Sequence, residues 1–371
     1  MKEVQTSITP TALPTVIAKK LDFQTTENTG KIVINPQFDW ARSFAEGLAG
    51  VRIGDEKSAK WGFIDKQGKM VINPQFGDTH DFSEGLAAVR IGDEKSGKWG
   101  FIDKQGKMVI NPQFDYVSNF IEGLAAVRIG VDKSAKWGFI DKEGKMVVNP
   151  QFDWAESFAE GLAKVRIGDE KSGKWGLIDK KGKMVINPQF DYVADFIGGL
   201  AAVLIEDEKS GKWGFIDKEG KMVVNPQFDW AESFVEGLAA VLIGDEKSGK
   251  WGFIDKQGKM IINPQFDAAY YFKDGLAAVR IGDEKSGKWG FIDKEGKMVV
   301  NPQFDAALFF SEGLAAVRIG DNDSGKWGFI DKQGKMVINP QFGYCRNGYS
   351  EGLASIRIGD SESGKWGYIS R

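Results

Sequence analysis

The sequence predicts an all-β fold built from one short unit repeated in tandem, and three observations carry that reading. The dipeptide Trp-Gly recurs at Trp61, Trp99, Trp137, Trp175, Trp213, Trp251, Trp289, Trp327 and Trp366, spaced 38 residues apart seven times and then 39. The phrase Asn-Pro-Gln-Phe recurs nine times, starting at Asn35, Asn73, Asn111, Asn149, Asn187, Asn225, Asn263, Asn301 and Asn339. Short apolar runs alternate with Gly- and Asp-bearing turns throughout. Strict repetition at this period describes an array in which each unit packs on its neighbours.

Residues 61–98 show the grammar of one unit. Trp61-Gly62-Phe63-Ile64-Asp65 reads as a short strand with Trp61 and Phe63 on one face and Ile64 on the other. Asp65-Lys66-Gln67-Gly68-Lys69 reads as a tight hairpin in which Gly68 takes positive φ. Lys69-Met70-Val71-Ile72 returns as a strand that Pro74 is expected to stop, since proline cannot donate to the ladder. A connection follows from Phe76 to Glu84. Its counterpart Trp154-Ala155-Glu156-Ser157-Phe158 has room for one helical turn at most. Leu86 to Ile91 is the third strand, apolar on both faces, and Gly92 to Lys98 is a polar loop back to the next Trp-Gly. The expected unit is a three-stranded antiparallel meander, buried on both faces by stacking on its neighbours.

The regular pattern begins near Gly30 and ends at Ile369, which divides the chain into an N-terminal segment, 1–29, expected to be a cap or flexible tail, and a repeat domain, 30–371. The chain starts with the outer strand of a unit and ends on its missing neighbour. Two architectures follow: an open solenoid or superhelix, and a closed propeller-like ring. Three-stranded units and the propeller norm of four strands and up to eight blades favour the open form.

The periodic Trp-Gly, the Phe-Ile-Asp that follows, the Gly-Lys turn and the Glu-Gly-Leu-Ala strand resemble the WG-repeat family, also called KWG repeats. The resemblance spans roughly residues 30–369. It implies a β-rich repeat protein of a kind common in bacteria, with no catalytic residues to carry over. The family's variable repeat number also leans toward an open array.

Composition narrows the partners. The 49 Lys and Arg nearly balance the 52 Asp and Glu, for a net charge of −3, so no basic stripe points to nucleic acid. The one cysteine, Cys345, excludes an internal disulfide framework and fits a reducing compartment. With no secretory leader and no apolar run long enough to span a bilayer, a cytoplasmic location is expected. No cofactor or metal motif is present, and the one histidine, His80, needs contact with Cys345 to make a nucleophilic pair.

Two features remain as candidate partner-binding elements. The nine Trp-Gly tryptophans are assigned to the seams between units. The first connection position, by contrast, reads Trp40, Asp78, Tyr116, Trp154, Tyr192, Trp230, Ala268, Ala306 and Tyr344, while the fifth stays aromatic. Variation confined to one segment is the pattern of a recognition surface, and equally of drift at a half-exposed site. Tyr270 and Phe309 make the late connections the most apolar. The third strand carries Arg90, Arg128 and Arg166, with further arginines in other units and Leu204 and Leu242 at the same register. These arginines either face a partner or cover neighbouring aromatics. The expected function is a non-catalytic protein-interaction scaffold. A carbohydrate or cell-envelope ligand module and a self-assembly unit are the alternatives.

Overall fold

The computed structural model describes residues 30–54, 58–206, 211–245 and 247–371. The expected segment 1–29 lies outside the described residues. The described residues form nine four-stranded antiparallel sheets. In one of them the strands are, from the axis outward, Asp78–Thr79, Ala87–Ile91, Lys98–Ile102 and Met108–Phe114.

The fourth strand comes from the connection. Asp78–Thr79 pairs with Arg90 and Val89, and Ser83 makes a further bridge to Leu86. In other blades the same segment is one continuous strand, as at Trp154–Ala159, where one helical turn was expected. Its buried positions, Ala155 and then Phe158, are three residues apart across a register shift, and that odd spacing masks the strand period in the sequence.

The proline does not stop the outer strand, which runs Met70–Phe76. Trp61 pairs with Phe76 and Phe63 with Ile72, so Asn73-Pro74-Gln75 bulges opposite Gly62 alone. A bulge on an edge strand is where a residue without N–H fits. The bulge also explains the glycine of Trp-Gly. A Cβ on Gly62 would meet the Ile72 carbonyl at 2.4 Å and the Pro74 nitrogen at 2.7 Å. The two signature motifs are therefore two sides of one contact.

The array is a closed nine-bladed propeller, not an open solenoid. Strand Ile32–Phe38 is the outer strand of the last blade, paired to Lys365–Ser370 through Ile32–Ile369, Ile34–Tyr368 and Phe38–Trp366. A Cβ on Gly367 would meet the Ile34 carbonyl at 2.5 Å and the Pro36 nitrogen at 2.7 Å, the same geometry as inside the chain. The case for an open form rested on three strands per unit, and the innermost strand removes it.

Two polar clasps repeat from blade to blade and also cross the closing seam. In seven of the nine units the lysine before Trp-Gly reaches an aspartate that leads into the next blade, as Lys136 reaches Asp153 at 2.5 Å, and Asp153 also accepts from the Gly168 amide at 2.8 Å; after Lys60 and Lys326 the aspartate is replaced by Gly77 and Gly343. Lys365 makes this contact with Asp39 at the seam. On the opposite face Glu84 accepts from the Gly123 amide and Lys142 of the following blade, both at 3.0 Å. Glu351 does the same to Gly47 and Lys66, again at 3.0 Å. Between the clasps lie apolar seams such as Leu124, Ala126, Trp137, Phe139, Phe152 and Phe158. Each fully buried large side chain there contributes about 1.5–3 kcal/mol.

Candidate functional site

An antiparallel meander puts the start of the innermost strand, the end of the second and the start of the third at one face of the ring. That face carries the channel mouth. Trp40, Tyr116, Trp154, Tyr192, Trp230 and Tyr344 stand there, between 37 % and 46 % exposed. Each pairs across to the second strand: Trp40 to Arg52, Tyr116 to Arg128, Trp154 to Arg166, Tyr192 to Leu204, Trp230 to Leu242 and Tyr344 to Arg357. The next residue along is the seam tryptophan, as Arg166 pairs with Trp175.

Each exposed ring leans on a seam tryptophan. Trp154 lies 5.2 Å from Trp137 and Trp230 5.1 Å from Trp213. Tyr116 spans Trp99 and Trp137, at 6.0 and 5.7 Å. Trp61, Trp99, Trp137, Trp175, Trp213, Trp289, Trp327 and Trp366 are buried in the seams, and Trp251 is half-buried. Where the first position is Asp78 or Ala268, a ring two residues later takes over. His80 sits 4.7 Å from Trp99, and Tyr270 stacks on Trp289 at 4.9 Å. Phe309 stacks with Tyr271 at 5.6 Å, under the Lys273 ammonium.

The arginines lie against aromatics. The Arg90 and Arg166 guanidiniums are 5.8 Å from the Trp99 and Trp175 rings, and the Nε atoms of both are buried without a hydrogen bond. Arg128 instead donates to the Asp132 carbonyl at 3.1 Å. Their stems cover the seam while the charged ends stay half-exposed at the rim.

Below the mouth the innermost strands line the channel, and here the blades differ in ways the repeat pattern hid. On the second strand, behind that wall, Lys164 occupies a position that is alanine in most blades, as at Ala126 and Ala202. It is 4 % exposed and bonded to Glu156 at 2.6 Å and Asp195 at 2.8 Å. Burial pushes its ammonium down, but the two carboxylates outweigh this and hold it above the ordinary lysine range. At the closing seam Arg42 and Arg346 bring two cations to the wall. Gly50 stands where other blades have alanine, and a Cβ there would press on Arg42 Cδ at 3.1 Å. The signal for Lys164 was departure from a position that is otherwise small, whereas Arg42 and Arg346 stand at one of the most variable positions of the unit and carried no such signal.

A cavity of about 580 Å³ opens at the mouth between Tyr116, Ser118, Trp154, Glu156, Ser157 and Asp195. It joins aromatic faces to hydroxyls and carboxylates. His80 and Cys345 are not brought together. Cys345 is fully buried beside Phe329 and Tyr349, and burial pushes its thiol up to about 12. Among the described residues no group of three or more His, Cys, Asp or Glu side chains is placed to hold a metal ion. No helix among them is long and apolar enough to cross a membrane.

Fold and site together define a closed β-propeller with an aromatic channel mouth. The chain belongs to the WG containing repeat family, whose pattern matches residues 28–56, 61–94, 99–130, 137–170, 175–208, 213–246, 251–284, 289–322 and 327–366. No curated protein matches it in sequence. Among solved structures it is similar to one titled as the crystal structure of the eukaryotic initiation factor, at 12 % identity and TM-score 0.61, over 86 % of this chain and 92 % of that one. That likeness is one of fold. It also aligns with prolyl oligopeptidase B from Galerina marginata bound to a 25mer macrocyclization substrate, at 11 % identity and TM-score 0.46, over 89 % of this chain and 54 % of that one.

Proposed function

We propose that this protein is a non-catalytic binding propeller whose ligand is a saccharide or similar polyhydroxylated chain lying on the channel mouth. The observation that carries this is the cavity between Tyr116 and Trp154, which sets two exposed aromatic faces beside Ser118, Ser157, Glu156 and Asp195. Aromatic faces take the apolar side of a sugar ring, and the hydroxyls and carboxylates take its hydroxyl groups. Trp230 and Tyr192 repeat the platform on the adjoining blades, so a longer chain gains from several contacts at once. A glycan array followed by calorimetry on the best ligand tests it. Binding that weakens at least about tenfold, or roughly 1.4 kcal/mol, in the Trp154→Ala/Trp230→Ala double variant supports the reading. Full affinity in that variant places the ligand elsewhere.

A second reading, a protein-interaction scaffold, is favoured by the late sector of the mouth. Tyr270, Tyr271, Leu308 and Phe309 form an apolar stretch there, flanked by Lys273. An array without hits, together with a native-extract protein captured by the wild type and not by Phe309→Ser, would favour this reading. The self-assembly alternative required free ends of an open array, and the paired closing strand leaves none there.

A further inference from the structure

We propose that the closing seam holds an anion-binding subsite, taking a carboxylate or phosphate group of a small ligand between Arg346 and Arg357. It stands on geometry separate from the saccharide platform. A cavity of about 330 Å³ is lined there by Trp40, Tyr344, Arg346, Asn347, Arg357 and Trp366. The Arg346 guanidinium lies 5.1 Å from the Trp40 ring and that of Arg357 lies 5.6 Å from the Tyr344 ring. Stacking fixes the plane of a guanidinium and leaves its N–H edge free for an oxyanion.

Those edges lack acceptors. Arg346 Nη1 is buried without a hydrogen-bond partner, an orphan particular to this blade, and it joins the unpaired Arg357 Nε, which recurs at the equivalent arginines of other blades. Among the described residues, neither guanidinium has a carboxylate within ion-pair distance. Buried donors left unpaired are costly, and an oxyanion satisfies them. Arg42, itself ion-paired to Asp78 at 3.6 Å, adds a third positive charge close by. Burial and Arg42 together hold Arg346 below the usual arginine range, a sign of crowded cations. Asp81, the carboxylate that acts on Arg346, is itself pushed up by burial against the pull of Arg42 and Arg346, and its Oδ1 is unpartnered.

One other blade pairs arginines at these two registers, Arg42 with Arg52, but there Arg42 lies 4.8 Å from the Trp61 ring and is ion-paired to Asp78 at 3.6 Å. At the register of Arg346 the earlier blades carry Arg42, His80, Ser118, Glu156, Ala194, Glu232, Tyr270 and Leu308. The last unit alone has an added residue, absorbed near Asn347 and Gly348, with Gly348 at φ 77°. Near-identical repeats make identical surfaces, and this insertion makes a unique one.

The test uses the full chain in buffer free of phosphate, sulfate and carboxylates, with tryptophan fluorescence and calorimetry as readouts. The probes are inorganic phosphate and benzoate, whose relative affinity distinguishes the two oxyanion sources. Saturable binding of either is expected. Arg346→Gln should weaken it at least about tenfold, with partial recovery in Arg346→Lys. Lys95→Gln, on an exposed loop of the same face, removes the same charge and should leave it unchanged. Asn347→Asp, which adds a carboxylate to the lining, should abolish it without touching an arginine and serves if Arg346→Gln does not fold. The proposal is overturned by the absence of saturable binding for both probes, or by Arg346→Gln or Asn347→Asp titrating like the wild type. Trp154→Ala should retain anion binding, so this subsite and the saccharide platform fail independently.

Discussion

Tryptophan has two jobs in this protein, and the difference between them is measurable. Trp175 is 6 % exposed and packed among Leu177, Phe190 and Phe196 in a seam. Trp175→Ala should cost about 3–5 kcal/mol in denaturant unfolding, the range for emptying a large aromatic site. Trp154 is 42 % exposed and rests by one face on Trp137. Trp154→Ala should cost only about 1 kcal/mol, the worth of an aromatic pair, and a larger loss would mean that it is core. Both environments were legible in the sequence, because the seam residues do not vary between units and the mouth residues do. The channel wall was not. Lys164 reads as an isolated substitution, and only folding brings Glu156 and Asp195 to it from two different blades.

Strands hold together within blades by their ladders, and blades hold to one another by seams and clasps. The fourth unit after the first is instructive. There Gly198 stands where other turns have an acidic residue, as at Glu84, so the carboxylate that would accept from Gly237 and Lys256 is missing and Lys256 keeps only its bond to the Gly198 carbonyl. Gly198 already has φ 65°, close to the 52° of Glu84, and a Cβ there meets only the movable end of Lys256, at 2.7 Å. Gly198→Glu should therefore raise stability by about 0.5–1 kcal/mol, from a charge-assisted bond and reduced unfolded-state freedom, seen as a higher melting temperature. A fall in melting temperature would show that left-handed strain outweighs the clasp. The clasps also set the acid response. Burial pushes Asp39, Asp153, Glu84 and Glu351 up, but lysine and amide partners outweigh it and hold all four below their ordinary 3.8 and 4.5. A depressed carboxyl gives stability that is present above its unfolded value and lost as pH falls through the folded one. His80, held below 6.5 by burial and Arg42, gives a smaller loss in the same direction, starting at higher pH. Asp81, pushed up, works the other way. The melting temperature should thus decline slightly below about pH 6.5 and steeply below about pH 4, and a profile rising toward acid would refute the clasps as stabilising. The clasps were invisible in one repeat, since each joins residues of successive units. The innermost strand was hidden by its register shift and by the brevity of its ladder.

At the scale of the whole ring, closure depends on pairing and not on covalent order. The sequence left ring and solenoid open, because its phase fits both and only the Ile32–Phe38 pairing with Lys365–Ser370 decides. If that pairing is equivalent to the covalent joints elsewhere, the chain can be reopened at another blade. The Ser370 amide donates to the Lys31 carbonyl at 3.0 Å, so a linker of a few residues joins Arg371 to Gly30. New ends placed in the exposed loop between Asp169 and Ser172 leave Trp154–Ala159 and Leu162–Ile167 at one terminus, with Lys174–Ile178 and Met184–Phe190 at the other. The fourth blade then becomes the one closed by strand pairing. Exposed loop tips tolerate such cuts, and termini that lie close together favour them. The permuted chain should keep the wild-type hydrodynamic radius, a single cooperative melt and the anion response of Arg346. Deleting residues 30–38 instead should uncover Trp366 and Tyr368, red-shift the fluorescence and enlarge the radius. A permuted chain as expanded as that deletion would show that the seam cannot bear the load the other joints carry, and the ring would have to be held by its connectivity instead.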